Sequence, residues 1–85
     1  MTLQEAEKLA NILRKQFDAE VDFEEVNDNG RYRFAVVSEK FRGVPHLTRQ
    51  DQIWKVVDQA VSREQTMGIS LILAFDPSDI AVDPA

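Results

Sequence analysis

Two runs of alternating apolar and charged residues flank the segment 27–30, Asn-Asp-Asn-Gly, and this arrangement predicts a β-hairpin. In the first run apolar and acidic positions alternate, as Phe17, Ala19, Val21 and Phe23 against Asp18, Glu20, Asp22 and Glu24. In the second run Tyr32, Phe34 and Val36 alternate with Arg31, Arg33, Ala35 and Val37. Asn and Gly accept the positive φ angles of a tight turn. Each strand should therefore bury one face, with acidic side chains of the first strand opposite Arg31 and Arg33. Carboxylates in a row do not surround a metal ion, so we interpret the acidic row as a solvated face rather than a metal site. Its charge would also protect an edge strand from pairing with other strands.

Helical spacing replaces the strand pattern on both sides of this hairpin. Thr2-Leu-Gln-Glu5 has the spacing of a capping box, and the apolar positions that follow predict a helix over about residues 3–16. A second helix start is predicted at Thr48-Arg-Gln-Asp51, after a loop over 39–47 that Gly43 and Pro45 interrupt. This helix should end near residue 64, with Gly68 as a stop signal.

The segment 69–75, Ile-Ser-Leu-Ile-Leu-Ala-Phe, is too apolar to alternate cleanly, and we interpret it as a strand that is covered on both sides or central in the sheet. The element order is then helix, strand, strand, helix, strand, with the second helix as a right-handed parallel crossover. We predict an α+β fold in which two main helices pack on one face of a three-stranded mixed sheet. The chain should form one domain over 1–80, followed by a flexible tail over 81–85.

Composition argues against catalysis and against membrane insertion. The 85 residues include no cysteine and a single histidine, His46, so neither a thiolate site nor a nucleophile–base pair is visible. We therefore expect no enzyme activity, no metal and no cofactor. His46 is either a displaced ligand or pH-sensitive contact, or a solvent-facing loop residue, which we favour. The longest apolar run, 71–75, is too short to span a bilayer, and the N-terminal residues lack a signal-peptide pattern. These features predict a soluble, cytoplasmic protein.

The segment 31–49 concentrates positive charge in a chain whose formal net charge is −5. It carries five basic residues against the single carboxylate of Glu39, namely Arg31, Arg33, Lys40, Arg42 and Arg49. This set could bind nucleic acid, although the loop lacks the Gly-x-x-Gly clamp of KH domains that bind nucleic acid. Alternatively, Arg31 and Arg33 only balance the acidic strand, and Lys40 and Arg42 are solvated.

Two aromatic residues near this segment have two interpretations each. Phe41 is either a plug beneath the loop, which we favour, or an exposed contact, and Gly43 would let the backbone turn beside it. Trp54 is either a residue at the edge of the core, which we favour, or an anchor for a partner.

The order of elements, together with a Phe-x-Gly loop before the second helix, resembles the BolA-like family, whose fold is similar to the second type of KH domain. The matching residues are Val36-Val-Ser-Glu-Lys-Phe-Arg-Gly43, Arg49 at the head of the helix, Gly68-Ile-Ser-Leu71 and Asp76-Pro-Ser-Asp-Ile80. The resemblance implies a small partner-binding protein rather than an enzyme. Members pair with monothiol glutaredoxins, some share an iron–sulfur cluster with them, and some have been linked to DNA binding.

The chain departs from the family pattern where cluster ligands would be expected. The family places a histidine directly after the arginine of the helix start, and this chain has Gln50 there. A second histidine or cysteine often opens the second strand region, where this chain has Arg31 or Tyr32. Iron–sulfur ligation requires thiolate or imidazole, so the expected function is protein binding without a shared cluster. The predicted partner-binding residues are Phe41, Arg42, Gly43, His46, Arg49 and Gln50, and nucleic-acid binding through the basic set is the alternative.

Overall fold

A computed structural model describes residues 1–80, and the predicted tail 81–85 lies outside the described residues. The elements are α1 (Leu3–Phe17), β1 (Glu20–Val26), β2 (Arg31–Val37), a 3₁₀ turn (Glu39–Phe41), α2 (His46–Ala60), the short α3 (Arg63–Thr66), β3 (Ile69–Phe75) and the short α4 (Pro77–Ile80). This order confirms the predicted α-β-β-α-β arrangement. None of the helices in the described part of the chain is long and apolar enough to cross a membrane.

The sheet has the order β1-β2-β3, with β2 in the centre. β1 and β2 are antiparallel, from Glu20 opposite Val37 to Val26 opposite Arg31. β2 and β3 are parallel, and Phe34 lies opposite Ile72. Both the hairpin and the parallel crossover are therefore confirmed. The turn uses positive φ at Asn27, Asp28 and Gly30, as the sequence pattern requires.

α1 begins at the predicted capping box, in which the Thr2 hydroxyl accepts from the Glu5 amide and the Glu5 carboxylate accepts from the Thr2 amide. The helix includes Phe17, which the sequence pattern assigned to the first strand. Phe17 lies four residues after Leu13, so it also continues the buried face of the helix. Asp18 then ends α1 in the left-handed conformation, and β1 starts at Glu20 rather than at residue 17.

The predicted second helix is two separate helices. α2 begins at His46, two residues before the predicted start. Pro45 is its N-cap, and the Pro45 carbonyl accepts a helical hydrogen bond from the Arg49 amide at 3.0 Å. It ends at Ala60, since Val61 is extended and Ser62 forms a new capping box with Gln65. The predicted end near residue 64 therefore falls within α3.

The interpretation of β3 as a central or doubly covered strand is wrong. β3 lies at the edge of the sheet, and its side chains alternate between a buried and an open face. Leu71 is 45% exposed and Leu73 is 36% exposed, whereas Ile72 and Ala74 are buried. The run is continuously apolar because its open face is apolar as well, and not because that face is covered.

The core lies between the sheet and the helices. Its largest fully buried side chains are Leu9, Leu13, Phe34, Phe41, Ile53, Ile72, Val36 and Val57. These residues come from α1, α2, β2, β3 and the 3₁₀ turn. The loop before α2 is thus tied to the core by Phe41.

Candidate protein-interaction site

The loop that joins β2 to α2 is built as a compact 3₁₀ turn. Ser38 is buried, and its hydroxyl accepts from the Lys40 amide while it donates to the carbonyl of Phe17. The Phe41 amide donates to the Ser38 carbonyl at 3.1 Å, and the Val44 amide donates to the Phe41 carbonyl at 3.0 Å. The bond from Ser38 to Phe17 fastens the loop to the end of α1, and the other bonds hold the turn together.

Phe41 anchors the loop from below. Its side chain has no exposed area, and its ring centroid lies 5.3 Å from that of Phe17. The guanidinium of Arg49 lies 5.8 Å from the ring centroid, close enough for a cation–π contact. The preferred interpretation of Phe41 as a plug is therefore confirmed. Its side chain supports the site from the core and does not lie on the surface.

Gly43 has a φ of 74°, a conformation that glycine adopts without steric cost. A Cβ at this position would meet no atom within 4 Å, so backbone conformation rather than crowding favours glycine here. The chain thereby turns from the buried Phe41 into Pro45 and the first turn of α2.

Arg49 is the most heavily bonded residue of this region. It is 5% exposed and donates four hydrogen bonds, to the carbonyls of Val44 and Ala74 and to the carboxylates of Asp76 and Asp79. The distances to the carboxylate oxygens are 3.1 Å for Asp76 and 2.9 Å for Asp79. Arg49 therefore joins the loop, α2 and the end of β3, and its guanidinium faces inward rather than toward a partner or a phosphate.

The two carboxylates on Arg49 are held in their charged form. The hydroxyl and the amide of Ser78 donate to Asp76 and lower its pKa, and Arg49 adds to this effect. The Asp76 amide lowers the pKa of Asp79, again with help from Arg49. Burial opposes both shifts but does not reverse them.

These lowered pKa values make the site sensitive to acid. A carboxyl whose pKa is lower in the folded state than in the unfolded state stabilises the fold above its unfolded pKa, and this contribution is lost as the pH falls through the folded value. We expect the urea midpoint of unfolding to fall as the pH drops below about 4, the ordinary range for Asp. Asp79→Asn should show a shallower fall. An unchanged slope in that variant would contradict the assignment.

Gln50 lies beside β3 and fills both of its hydrogen-bonding roles within the fold. Its amide nitrogen donates to the carbonyl of Ile72 at 2.9 Å, and its oxygen accepts from the indole nitrogen of Trp54 at 3.2 Å. Trp54 is partly buried against the core, which confirms its interpretation as a residue at the core edge. Gln50 therefore closes the edge of β3 next to the first turn of α2.

The exposed part of the site is the segment from Arg42 to Thr48, in which only Val44 is half-buried. Arg42 pairs with Glu39 on the surface, at 2.9 Å between nitrogen and oxygen, and His46 lies exposed in the first turn of α2. Leu47 is 83% exposed, the largest exposure among the exposed large hydrophobic residues of the described chain. Of the predicted partner-binding residues, Arg42, Gly43 and His46 thus lie on the surface, Gln50 is half-buried, and Phe41 and Arg49 are buried.

Leu47 did not enter the predicted set, although a sequence signal for it exists. If α2 is started at Pro45, Leu47 falls six residues before the buried Ile53, which places the two side chains about 120° apart around the helix and Leu47 off the buried face. The predicted start at Thr48 left Leu47 in the loop and removed this signal.

The basic residues do not form one patch. Arg31 and Arg33 lie at the start of β2, whereas Lys40 and Arg42 follow its end, about 20 Å away at the usual rise of a strand. Arg33 pairs with Glu24, Arg42 pairs with Glu39, and Arg49 is buried. Nucleic-acid binding through this set stays a prediction, and it would require a binding surface other than a continuous basic groove.

Gln50, Tyr32 and Arg31 occupy the positions where the resemblance to BolA-like proteins implies cluster ligands. Gln50 is engaged with Ile72 and Trp54, Tyr32 is 5% exposed, and Arg31 offers a cation. None of these groups is a thiolate or an imidazole. Within residues 1–80, no group of three or more His, Asp or Glu side chains is placed to hold a metal ion.

No protein-family model and no curated protein matches the chain. Solved structures do match. BolA1 from Arabidopsis thaliana superposes with a TM-score of 0.70 at 20% identity, over 91% of this chain and 96% of that one. The BolA domain of SufE1 from Arabidopsis thaliana superposes with a TM-score of 0.67 at 21% identity, over 94% of this chain and 99% of that domain. The chain therefore has a BolA-like fold.

Proposed function

We propose that this protein is a non-catalytic interaction module that binds a protein partner through the surface formed by Arg42–Thr48, which we call the loop surface. The observation that carries the proposal is Leu47, an apolar side chain held 83% exposed on a segment whose backbone is fixed from below. A rigid support favours binding through this side chain, because little conformational entropy is lost when a partner covers a preorganised surface.

The support is built from buried residues that a partner would not touch. Phe41 fixes the loop to the core, and Arg49 ties the first turn of α2 to Asp76 and Asp79. On the same segment as Leu47, the side chains of Arg42, His46 and Thr48 are exposed and can form a polar rim. A small apolar centre with a polar border is the usual composition of an interface.

A monothiol glutaredoxin is the partner that the resemblance to BolA-like proteins favours. The loop residues Phe41, Arg42 and Gly43 that carry this resemblance are the ones that shape the loop surface. In the complex we propose, protein contacts hold the two chains together, because Gln50 occupies the position of the expected histidine ligand. The chain has one histidine and no cysteine, a composition that favours binding over catalysis.

Replacing Leu47 by Ser should weaken glutaredoxin binding by about tenfold or more while the fold keeps its stability. The loss follows from the apolar area of one leucine that leaves the interface, and stability is unaffected because the side chain is already exposed in the free protein. Isothermal titration with a purified monothiol glutaredoxin measures the affinity. Met67→Ser is the matched control, since Met67 is 73% exposed but lies outside the loop surface. Equal affinities for the wild type and Leu47→Ser would contradict the proposal.

Binding should also be independent of iron. We expect the same affinity when the titration is repeated with a strong iron chelator. We also expect that anaerobic cluster reconstitution of this protein mixed with the glutaredoxin gives the absorption spectrum of the glutaredoxin alone. A chelator-sensitive complex would show that a shared cluster holds the chains together, and would overturn this part of the proposal.

A further inference from the structure

The sheet has a second face that the described elements do not cover. α1 and α2 pack on one side, and the other side, which we call the outer face, carries Glu20, Asp22 and Glu24 from β1, Arg33, Ala35 and Val37 from β2, and Leu71, Leu73 and Phe75 from β3. The outer face is divided by chemistry. The β1 side is acidic, and the β3 side is apolar.

The apolar half is continuous across two strands. Ala35 pairs with Leu73 and Val37 pairs with Phe75, so their side chains stand next to one another on the outer face. Leu71 and Leu73 are 45% and 36% exposed. A shallow depression of about 360 Å³ lies between these residues and β1 and is lined in part by Asp22, Ala35 and Leu73. Contiguous exposed apolar patches on soluble proteins commonly mark interaction sites.

The dimensions of this half suit one helix. Two neighbouring strands are about 5 Å apart, and a helix with its side chains is about 10 Å wide, so one helix covers a stripe of two strands. A seven-residue strand is about 20 Å long, which a helix of about 14 residues spans.

The acidic border adds a charge requirement. Asp22 pairs with Ala35, which pairs with Leu73, so the carboxylate lies beside the apolar stripe in the same row. Glu24 is neutralised by its ion pair with Arg33, whereas Glu20 and Asp22 make no ion pair within residues 1–80. A ligand on the apolar stripe would therefore meet negative charge along its β1 side.

We propose that the outer face docks an amphipathic helix of another protein, with its apolar face on Ala35, Leu71 and Leu73 and with Lys or Arg residues along the β1 side. This site is separate from the loop surface and does not depend on the proposed function. A second copy of the chain is disfavoured as the occupant, because each copy has a net charge of −5 and would bring its own acidic strand to the interface.

The probe that tests this proposal is a synthetic 14-residue helical peptide with leucines at helical spacing and lysines along one flank. Addition of the peptide to the ¹⁵N-labelled protein should shift the amide resonances of Asp22, Ala35, Leu71 and Leu73, and the affinity should fall with added salt. Leu71→Thr/Leu73→Thr should weaken binding about tenfold or more. Threonine suits strands, so the variant should keep its fold, which its own spectrum verifies.

Charge reversal separates this site from nonspecific apolar binding. A peptide with glutamates in place of the lysines should bind about tenfold more weakly to the wild type, and Glu20→Lys/Asp22→Lys should invert this preference. Leu47→Ser, on the loop surface, should bind the lysine peptide like the wild type. The proposal is overturned if neither peptide binds, if both bind equally, or if the shifts map to the first turn of α2. It is also overturned if sedimentation shows a dimer that the Leu71→Thr/Leu73→Thr variant abolishes.

Discussion

Replacing Phe41 by Ala should lower the free energy of unfolding by about 3–5 kcal/mol, the usual cost of removing a buried phenylalanine side chain. A domain of this size has a total stability of only about 4–13 kcal/mol by per-residue scaling, so the variant should lie close to unfolding at room temperature. The cost arises because Phe41 is fully buried, touches Phe17, and is the main core contact of the loop. Urea denaturation followed by circular dichroism measures the effect.

Phe41→Leu is the matched control for this experiment. It keeps most of the buried volume, so we expect a loss below about 1.5 kcal/mol. If Phe41→Ala cost no more than Phe41→Leu, the ring would not be the anchor of the loop. The loop surface would then lack the rigid support on which the proposed function depends.

Replacing Arg49 by Met should also be costly, by about 3–5 kcal/mol, because removing one partner of a buried ion pair leaves the other partner uncompensated. Arg49 is 5% exposed, and the methionine side chain fills similar space without its four hydrogen bonds. The negative charges of Asp76 and Asp79 would then repel each other across the gap. Thermal and urea unfolding at pH 7 measure the loss.

Arg42→Met serves as the comparison, since Arg42 belongs to an exposed pair with Glu39 and should unfold close to the wild type. The difference in stability between Arg49→Met and the wild type should shrink at low pH, because protonation of the two aspartates removes the contribution of Arg49 from the wild type as well. A variant that unfolds like Arg42→Met at pH 7 would contradict the structural role of Arg49.

The fold was predictable because local signals and overall pattern agree along most of the chain. The capping box at Thr2 and Glu5, the positive-φ turn at Asn27–Gly30 and the segment 69–75 each indicated an element that the structure contains. The errors fall where one residue satisfies two patterns. Phe17 fits both a strand alternation and the buried face of α1, and in the structure it ends α1 and packs against Phe41.

The site was less predictable, because burial depends on residues that are distant in the sequence. Arg49 resembles a surface cation in the sequence, and its role follows from Asp76 and Asp79, which lie 27 and 30 residues later. Likewise, the apolar composition of β3 did not reveal that one of its faces is open. That property depends on which strand occupies the centre of the sheet.

The side chains of Arg49 and Gln50 have one further consequence, for the behaviour of the chain in concentrated solution. The Ser38 amide bonds to the Phe75 carbonyl, so the alternate carbonyls of Ile72 and Ala74 point away from β2, toward the side where another strand could add. Gln50 and Arg49 occupy those two acceptors. Any event that separates the first turn of α2 from β3 would expose these two carbonyls to a strand of another molecule. Intermolecular β-aggregation should then start at this edge.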